Sequence, residues 1–131
     1  MILGLGVDLC NINRMKKAVR SDYFVRRVFR PEEITYADGK GNELARAASY
    51  ASAFAAREAF SKASGISMYK IAFSQSFCLE RSAGGPSILI SDELDADFAE
   101  GRKRTLVSLS HDGDYAVAVV IVEEIERRRT P

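Results

Sequence analysis

The sequence predicts an α+β domain in which a largely antiparallel sheet packs on one long helix. Three observations carry that expectation. Residues 2–10 alternate large apolar with small or polar side chains at a period of two. Residues 43–64 carry a broad apolar stripe at helical spacing. Residues 105–111 and 115–122 are apolar runs separated by Asp112-Gly113, the turn chemistry of a tight hairpin.

The chain has 131 residues, enough for one domain, which we assign to 1–126 with a basic tail at 127–131. With 47% apolar residues it can build a core, and 28% charged residues with that apolar content argue against disorder. In the first strand Leu3, Leu5, Val7 and Leu9 share one face, and Ile2, Gly4, Gly6, Asp8 and Cys10 share the other. The two glycines lack side chains to pack. We read them as a shallow ligand floor beside Asp8, with close packing against a helix as the alternative.

Asn11 or Asn13 can cap a short helix running to Val19, with Ile12, Met15 and Val19 inward. A second short helix begins at Pro31, with Glu32 and Glu33 in its first turn and Arg30 a poor cap. Residues 38–42 form a turn that ends with Asn42 capping the long helix, and Gly65 stops that helix. Residues 69–80 and 86–90 read as strands joined through 82–86. Ser91 then caps a short acidic helix held by Leu94 and Phe98 and ended by Gly101. A ferredoxin-like sandwich is the competing architecture, weakened by the short helices before the long one.

Charge is unevenly distributed. Residues 14–30 hold seven bases against one acid, whereas the remainder holds twelve bases and seventeen acids. Such a patch suits an acidic protein partner better than nucleic acid, for which no aromatic-interleaved motif appears. Cys10 and Cys78 are distant in sequence and match no metal spacing, so they read as reduced and buried. No apolar run approaches a membrane span and no secretory signal opens the chain, so a cytoplasmic protein is expected.

The chemically informative anomaly lies inside the long helix. Glu58 and Lys62 are four residues apart and share a face with Ala51 and Ala55. Charges on an apolar stripe need partners or a metal; an internal ion pair or an exposed polar edge is the structural alternative. Asp8 is likewise a carboxylate on an apolar strand. If the glycine face of that strand meets the helix, Asp8 and Glu58 converge and require a cation or a shared proton. Hard oxygen donors without a histidine or cysteine cluster favour Mg²⁺, and Lys62 stands one turn on, where a phosphate could meet it.

His111, the only histidine, sits beside a tight turn. It is a candidate phosphate contact or proton carrier, or else a structural residue bonded to Asp112 or Asp114. Zinc and serine-hydrolase chemistry lack their ligand spacing and nucleophile elbow. Gly4 and Gly6 lack the third glycine of a dinucleotide fingerprint.

Taken together, Gly4-Leu-Gly-Val-Asp8, Phe54-Ala-Ala-Arg-Glu58-Ala-Phe-Ser-Lys62-Ala and Ser108-Leu-Ser-His111 resemble holo-acyl-carrier-protein synthase, the small bacterial type of 4′-phosphopantetheinyl transferase. Phe29-Arg-Pro-Glu-Glu-Ile34 and Gly84-Gly-Pro86 match more loosely, and the ordered set spans roughly residues 1–123. The resemblance implies a 4′-phosphopantetheinyl transferase-like fold. It also implies transfer of phosphopantetheine from coenzyme A to a serine of apo-acyl carrier protein, with release of 3′,5′-ADP, in fatty acid biosynthesis. By resemblance, Asp8 and Glu58 hold Mg²⁺, and Lys62 lies by the phosphates. Gly84, Gly85, Pro86, Ser110 and His111 lie by the coenzyme, His111 and Lys62 counting with the two carboxylates as catalytic. Arg14, Lys17, Arg20 and Arg26 meet the acidic carrier. A homotrimer with coenzyme between subunits is implied, and the attacking serine would give its proton to a metal-bound water or a nearby carboxylate.

The chain departs from the family pattern at four places. Arg57 stands where lysine is common, Arg30 where threonine often caps, Asp112 where a small polar residue is frequent, and Gly85 where a basic residue often stands. Arg81 is a candidate to cover that last loss. A non-enzymatic basic module for an acidic protein or RNA is the competing functional reading; it leaves Asp8, Glu58 and Lys62 unexplained.

Overall fold

The computed structural model describes residues 1–125; the expected basic tail lies outside the described residues. β1 (Ile2–Asn11) leads into α1 (Ile12–Ala18), α2 (Asp22–Val28), α3 (Pro31–Asp38) and the long α4 (Glu43–Ser64). There follow α5 (Met68–Phe73), β2 (Phe77–Ser82), β3 (Gly85–Ile90), α6 (Ala96–Ala99), β4 (Lys103–Asp112) and β5 (Tyr115–Glu124). The strands form an antiparallel sheet in the order β1-β5-β4 and a separate antiparallel pair β2-β3.

The long helix forms where its sequence predicts. Asn42 caps it by accepting from the Ala45 amide at 2.8 Å, and Gly65 ends it in the left-handed region. Alanines at 47, 51, 53, 55, 56 and 59 are fully buried. They let α4 lie close against the sheet, where Ala116, Ala118, Val120 and Val122 of β5 are buried beneath it.

Gly4 and Gly6 explain how close that approach is. A Cβ on Gly4 would sit 1.8 Å from the Ala63 carbonyl oxygen, and one on Gly6 1.9 Å from that of Ala59. Both distances are impossible for real atoms, so only glycine admits the helix here. The supposed ligand floor is therefore covered by helix backbone, and the close-packing alternative is the correct one. The opposite face of β1 carries Leu3, Leu5, Val7 and Leu9, all of which are exposed in the isolated chain.

Other expectations need correction. Residues 22–28 form a helix that the pattern did not announce, capped by Ser21 Oγ accepting from the Phe24 amide at 3.2 Å. Residues 68–73 are helical, not strand: Ser67 caps them through the Lys70 amide, and Ile71 and Ala72 are buried. The helix after β3 is only one turn, capped by Asp95, while Ser91 supplies carbonyl bonds to the preceding turn. The final hairpin turns over Gly113-Asp114, with Asp112 still paired to Tyr115. Gly113 has φ +58°, which places glycine first in the two-residue turn.

Candidate active site

Because β1 alternates and its glycine face meets α4, Asp8 points at the flank of the helix that carries Glu58 and Lys62. Lys62 Nζ donates to Asp8 Oδ1 at 2.9 Å and to the Val7 carbonyl at 3.1 Å. Asp8 keeps only 11% of its side chain exposed, whereas Lys62 keeps 57%. The ammonium thus reaches in from solvent with one of its three donors still free.

The second oxygen of Asp8, Oδ2, is buried and has no hydrogen-bond partner among the described residues while Glu58 is ionised; a protonated Glu58 shares its proton with Asp8. Glu58 is half-buried nearby. Burial first, then the neighbouring Asp8 carboxylate, push its carboxyl up to about 7, and Lys62 offsets part of that rise. The same two carboxylates act, after burial, to raise the Cys10 thiol to about 11, so this cysteine stays protonated at neutral pH. Both cysteines are free.

An orphaned carboxylate oxygen beside a carboxyl reluctant to ionise is a donor set short of a cation. Two hard oxygen donors are chemistry that would suit Mg²⁺, with Asp8 and Glu58 as the residues to hold it. Among the described residues no group of three histidine, cysteine or acidic side chains gathers for a softer metal.

A separate cleft of about 480 Å³ opens on another flank of α4. Its lining includes Gly85, Pro86, Ser110 and His111, together with Arg81. The fold brings these four residues together in one cleft, whereas Gly84 lies outside the lining, as does Lys62 on the acidic side. His111 is exposed, and among the described residues no hydrogen bond ties it to Asp112 or Asp114; Asp114 instead accepts from Asn13. Asp112 does not line the cleft. Register explains the placement: His111 pairs with Ala116 and Leu109 with Ala118, which places His111 on the α4 side of the edge strand.

The basic residues Arg14, Lys17, Arg20 and Arg26 are all exposed, the first two on α1, Arg20 just beyond it and Arg26 on α2. Arg57 does something the sequence did not reveal. It is buried and forms a two-armed ion pair with Glu33, with Nη1 to Oε2 at 2.7 Å. It also donates to the Ala53 and Phe77 carbonyls, while Glu33 accepts from the Arg30 and Leu79 amides. Arg30 therefore caps α3 through its backbone. The available signal was the Glu at the third helical position after Arg30, the returning half of a capping box.

An alternating strand laid on an alanine-rich helix thus places an acidic pair and a lysine at their contact. Residues 4–120 match the 4′-phosphopantetheinyl transferase superfamily, and the chain belongs to it. It is 35% identical over 128 residues to the holo-[acyl-carrier-protein] synthase of Geotalea daltonii, covering 95% of this chain and 100% of that one. It is 38% identical to that of Anaeromyxobacter dehalogenans, covering 94% and 97% of the two. The crystal structure of the Neisseria meningitidis synthase superposes with a TM-score of 0.76 at 26% identity, over 95% of this chain and 100% of that one. The Bacillus anthracis synthase in complex with CoA (3′,5′-ADP) gives 0.74 at 30% identity, over 95% and 99%.

Proposed function

We propose that this chain transfers the 4′-phosphopantetheine group from coenzyme A to a serine hydroxyl of an apo-acyl carrier protein, releasing 3′,5′-ADP. The observation that carries this reading is the buried, unpartnered Asp8 Oδ2 beside Glu58 and Lys62, in a chain whose relatives are holo-[acyl-carrier-protein] synthases.

Asp8 and Glu58 would hold Mg²⁺, which supplies Lewis-acid stabilisation of charge on the coenzyme's diphosphate. Lys62 holds its ammonium against Asp8 and turns its remaining donor outward, where it offsets phosphate charge as an electrostatic clamp and not as a nucleophile. The serine oxygen of the carrier attacks the phosphorus bearing the pantetheine arm, giving its proton to a nearby carboxylate or to water. The bond from that phosphorus to the departing 3′,5′-ADP breaks. His111, with Ser110, Gly85 and Pro86, binds the coenzyme along the cleft. Arg14, Lys17, Arg20 and Arg26 present free cations to an acidic helix of the carrier and govern its encounter and orientation.

The reading extends to assembly and place. The cleft and the acidic pair lie on different flanks of α4, and Leu3, Leu5, Val7 and Leu9 form an exposed apolar face along β1. Both features favour an oligomer in which neighbouring copies complete one site, and the family resemblance implies that the oligomer is a homotrimer. Residues 1–126 act as one transferase domain in the cytoplasm; among the described residues no helix is long and apolar enough to cross a membrane.

The test is a carrier-modification assay with coenzyme A, Mg²⁺ and an apo-acyl carrier protein, read by intact mass. Phosphopantetheine is expected to add to the carrier, with strong loss in Glu58→Ala and Lys62→Ala; transfer unchanged in both would remove their roles. Leu5→Glu should shift sedimentation toward the monomer, and an unaltered profile would contradict the proposed interface.

A further inference from the structure

The connection from α5 to β2 holds the C-terminal end of α2. Within it Gln75 has φ +59°, the one positive φ outside glycine among the described residues. That region is costly for a residue with a Cβ, and it persists where surrounding contacts over-determine it. Here the next residue is pinned on both sides. The Ser76 amide donates to Ser74 Oγ at 3.3 Å, and the Ser76 carbonyl accepts from the Ser91 amide at 3.0 Å. The Gln75 side chain is thereby carried to α2. Its Nε2 donates to the Arg27 carbonyl at 2.9 Å and to the Arg26 carbonyl at 3.4 Å, and its Oε1 accepts a longer bond from Arg30 Nη1 at 3.5 Å.

α2 has seven residues, too few to hold a helix without tertiary support. Its last carbonyls have no donors within the helix. The Phe29 amide serves the Val25 carbonyl, and Gln75 serves the next two. The two arginines of this turn then differ. Arg27 is tied down: its guanidinium lies 4.7 Å from the centre of the Phe73 ring, and Nη1 donates to the Phe73 carbonyl at 3.4 Å. Arg26 is exposed and enters no ion pair among the described residues.

We infer that Gln75 is a positioning residue for carrier recognition, its amide fixing the end of α2 so that Arg26 meets the acidic carrier in one orientation. The inference rests on the docking role given to Arg26 above. A helix end that is already ordered loses less freedom when the carrier docks, so the clamp acts on encounter and not on the chemical step.

The experiment is steady-state kinetics of carrier modification, with coenzyme A and Mg²⁺, for wild type, Gln75→Gly, Gln75→Met, Arg26→Ala and Gln75→Gly combined with Arg26→Ala. Glycine removes the amide and also relieves the left-handed backbone, so a loss in that variant does not come from strain. Methionine keeps the side-chain length without its donors. Each change at position 75 should raise KM for the apo-carrier about fivefold, the scale of one hydrogen bond, with kcat and the KM for coenzyme A within about twofold of wild type. With Arg26→Ala already present, Gln75→Gly should add less than about twofold, because coupled residues are not additive. A wild-type carrier KM in either Gln75 variant, a matching rise in the coenzyme KM, or the same rise with and without Arg26 overturns the inference. Either replacement alone carries the comparison if the other fails to fold. An Arg26→Ala variant with wild-type carrier KM instead defeats the docking role of Arg26, and a wild type that transfers nothing defeats the transferase reading; each takes the positioning role with it.

Discussion

Adjacent residues of α4 enter two charge clusters with opposite characters. Arg57 turns inward to Glu33, and both are only 1% exposed. Their arms face each other, the Ala53 and Phe77 carbonyls take further guanidinium donors, and two backbone amides satisfy the carboxylate; only Nε is left over. Glu58, one position on, turns toward β1 and meets another carboxylate, with Lys62 reaching in from solvent. The first cluster is closed and joins α3, α4 and β2. The second is open, because once Glu58 ionises a buried oxygen of Asp8 has no hydrogen-bond donor among the described residues. A helix can therefore carry one charge that holds the fold and a neighbouring charge that the fold holds ready for a ligand.

The contrast can be broken most severely at Arg57. Arg57→Ala leaves Glu33 buried without a counter-charge, which should cost about 3–5 kcal/mol. Urea denaturation at neutral pH checks this, and a loss below about 1 kcal/mol would show the pair to be dispensable. Gly6→Ala acts on the other side of the helix. A methyl group 1.9 Å from the Ala59 carbonyl must push α4 away from β1, costing about 1–3 kcal/mol as overpacking. It should also separate Asp8 from Glu58, so carrier modification should fall by more than the unfolded fraction explains. Transfer per folded molecule equal to wild type would show that this spacing does not matter.

The open cluster has a subtler signature in pH. The folded Glu58 carboxyl titrates near 7, above its ordinary 4.5. Between those values the folded state keeps a proton that the unfolded chain has released, so this group's contribution to stability falls as pH rises from about 4.5 to about 7. A cation needs the carboxylate and competes with that proton. Metal affinity should therefore rise up to about tenfold per pH unit below 7 and flatten above it. Titration at pH 6 and pH 8 tests this against Glu58→Gln, in which the component should vanish. A pH slope identical in the variant would assign it to another group.

Much of the open cluster was legible before the fold. Glu58 and Lys62 share a face by helical spacing, and Asp8 shares its strand face with two glycines by alternation. Chain geometry alone brings those patterns together. The closed cluster was hidden because Arg57 finds its partner 24 residues away, and no local spacing announces a pair between separate helices. The segment Tyr69, Ile71 and Phe73 alternates like a strand, yet in so short a run helix and strand patterns overlap. Capping by Ser67 and burial of adjacent Ile71 and Ala72 decide for helix. At Gly4 and Gly6 the residue type signalled a close approach, but what approaches is helix backbone.

The most direct test of the open cluster is calorimetric titration of coenzyme A with Mg²⁺ and with a chelator, into wild type and Asp8→Asn. The account predicts tight binding only with Mg²⁺, and loss of that metal-dependent gain when the Asp8 carboxylate becomes an amide. Equal affinity with and without the metal, or a full metal response in Asp8→Asn, would contradict it.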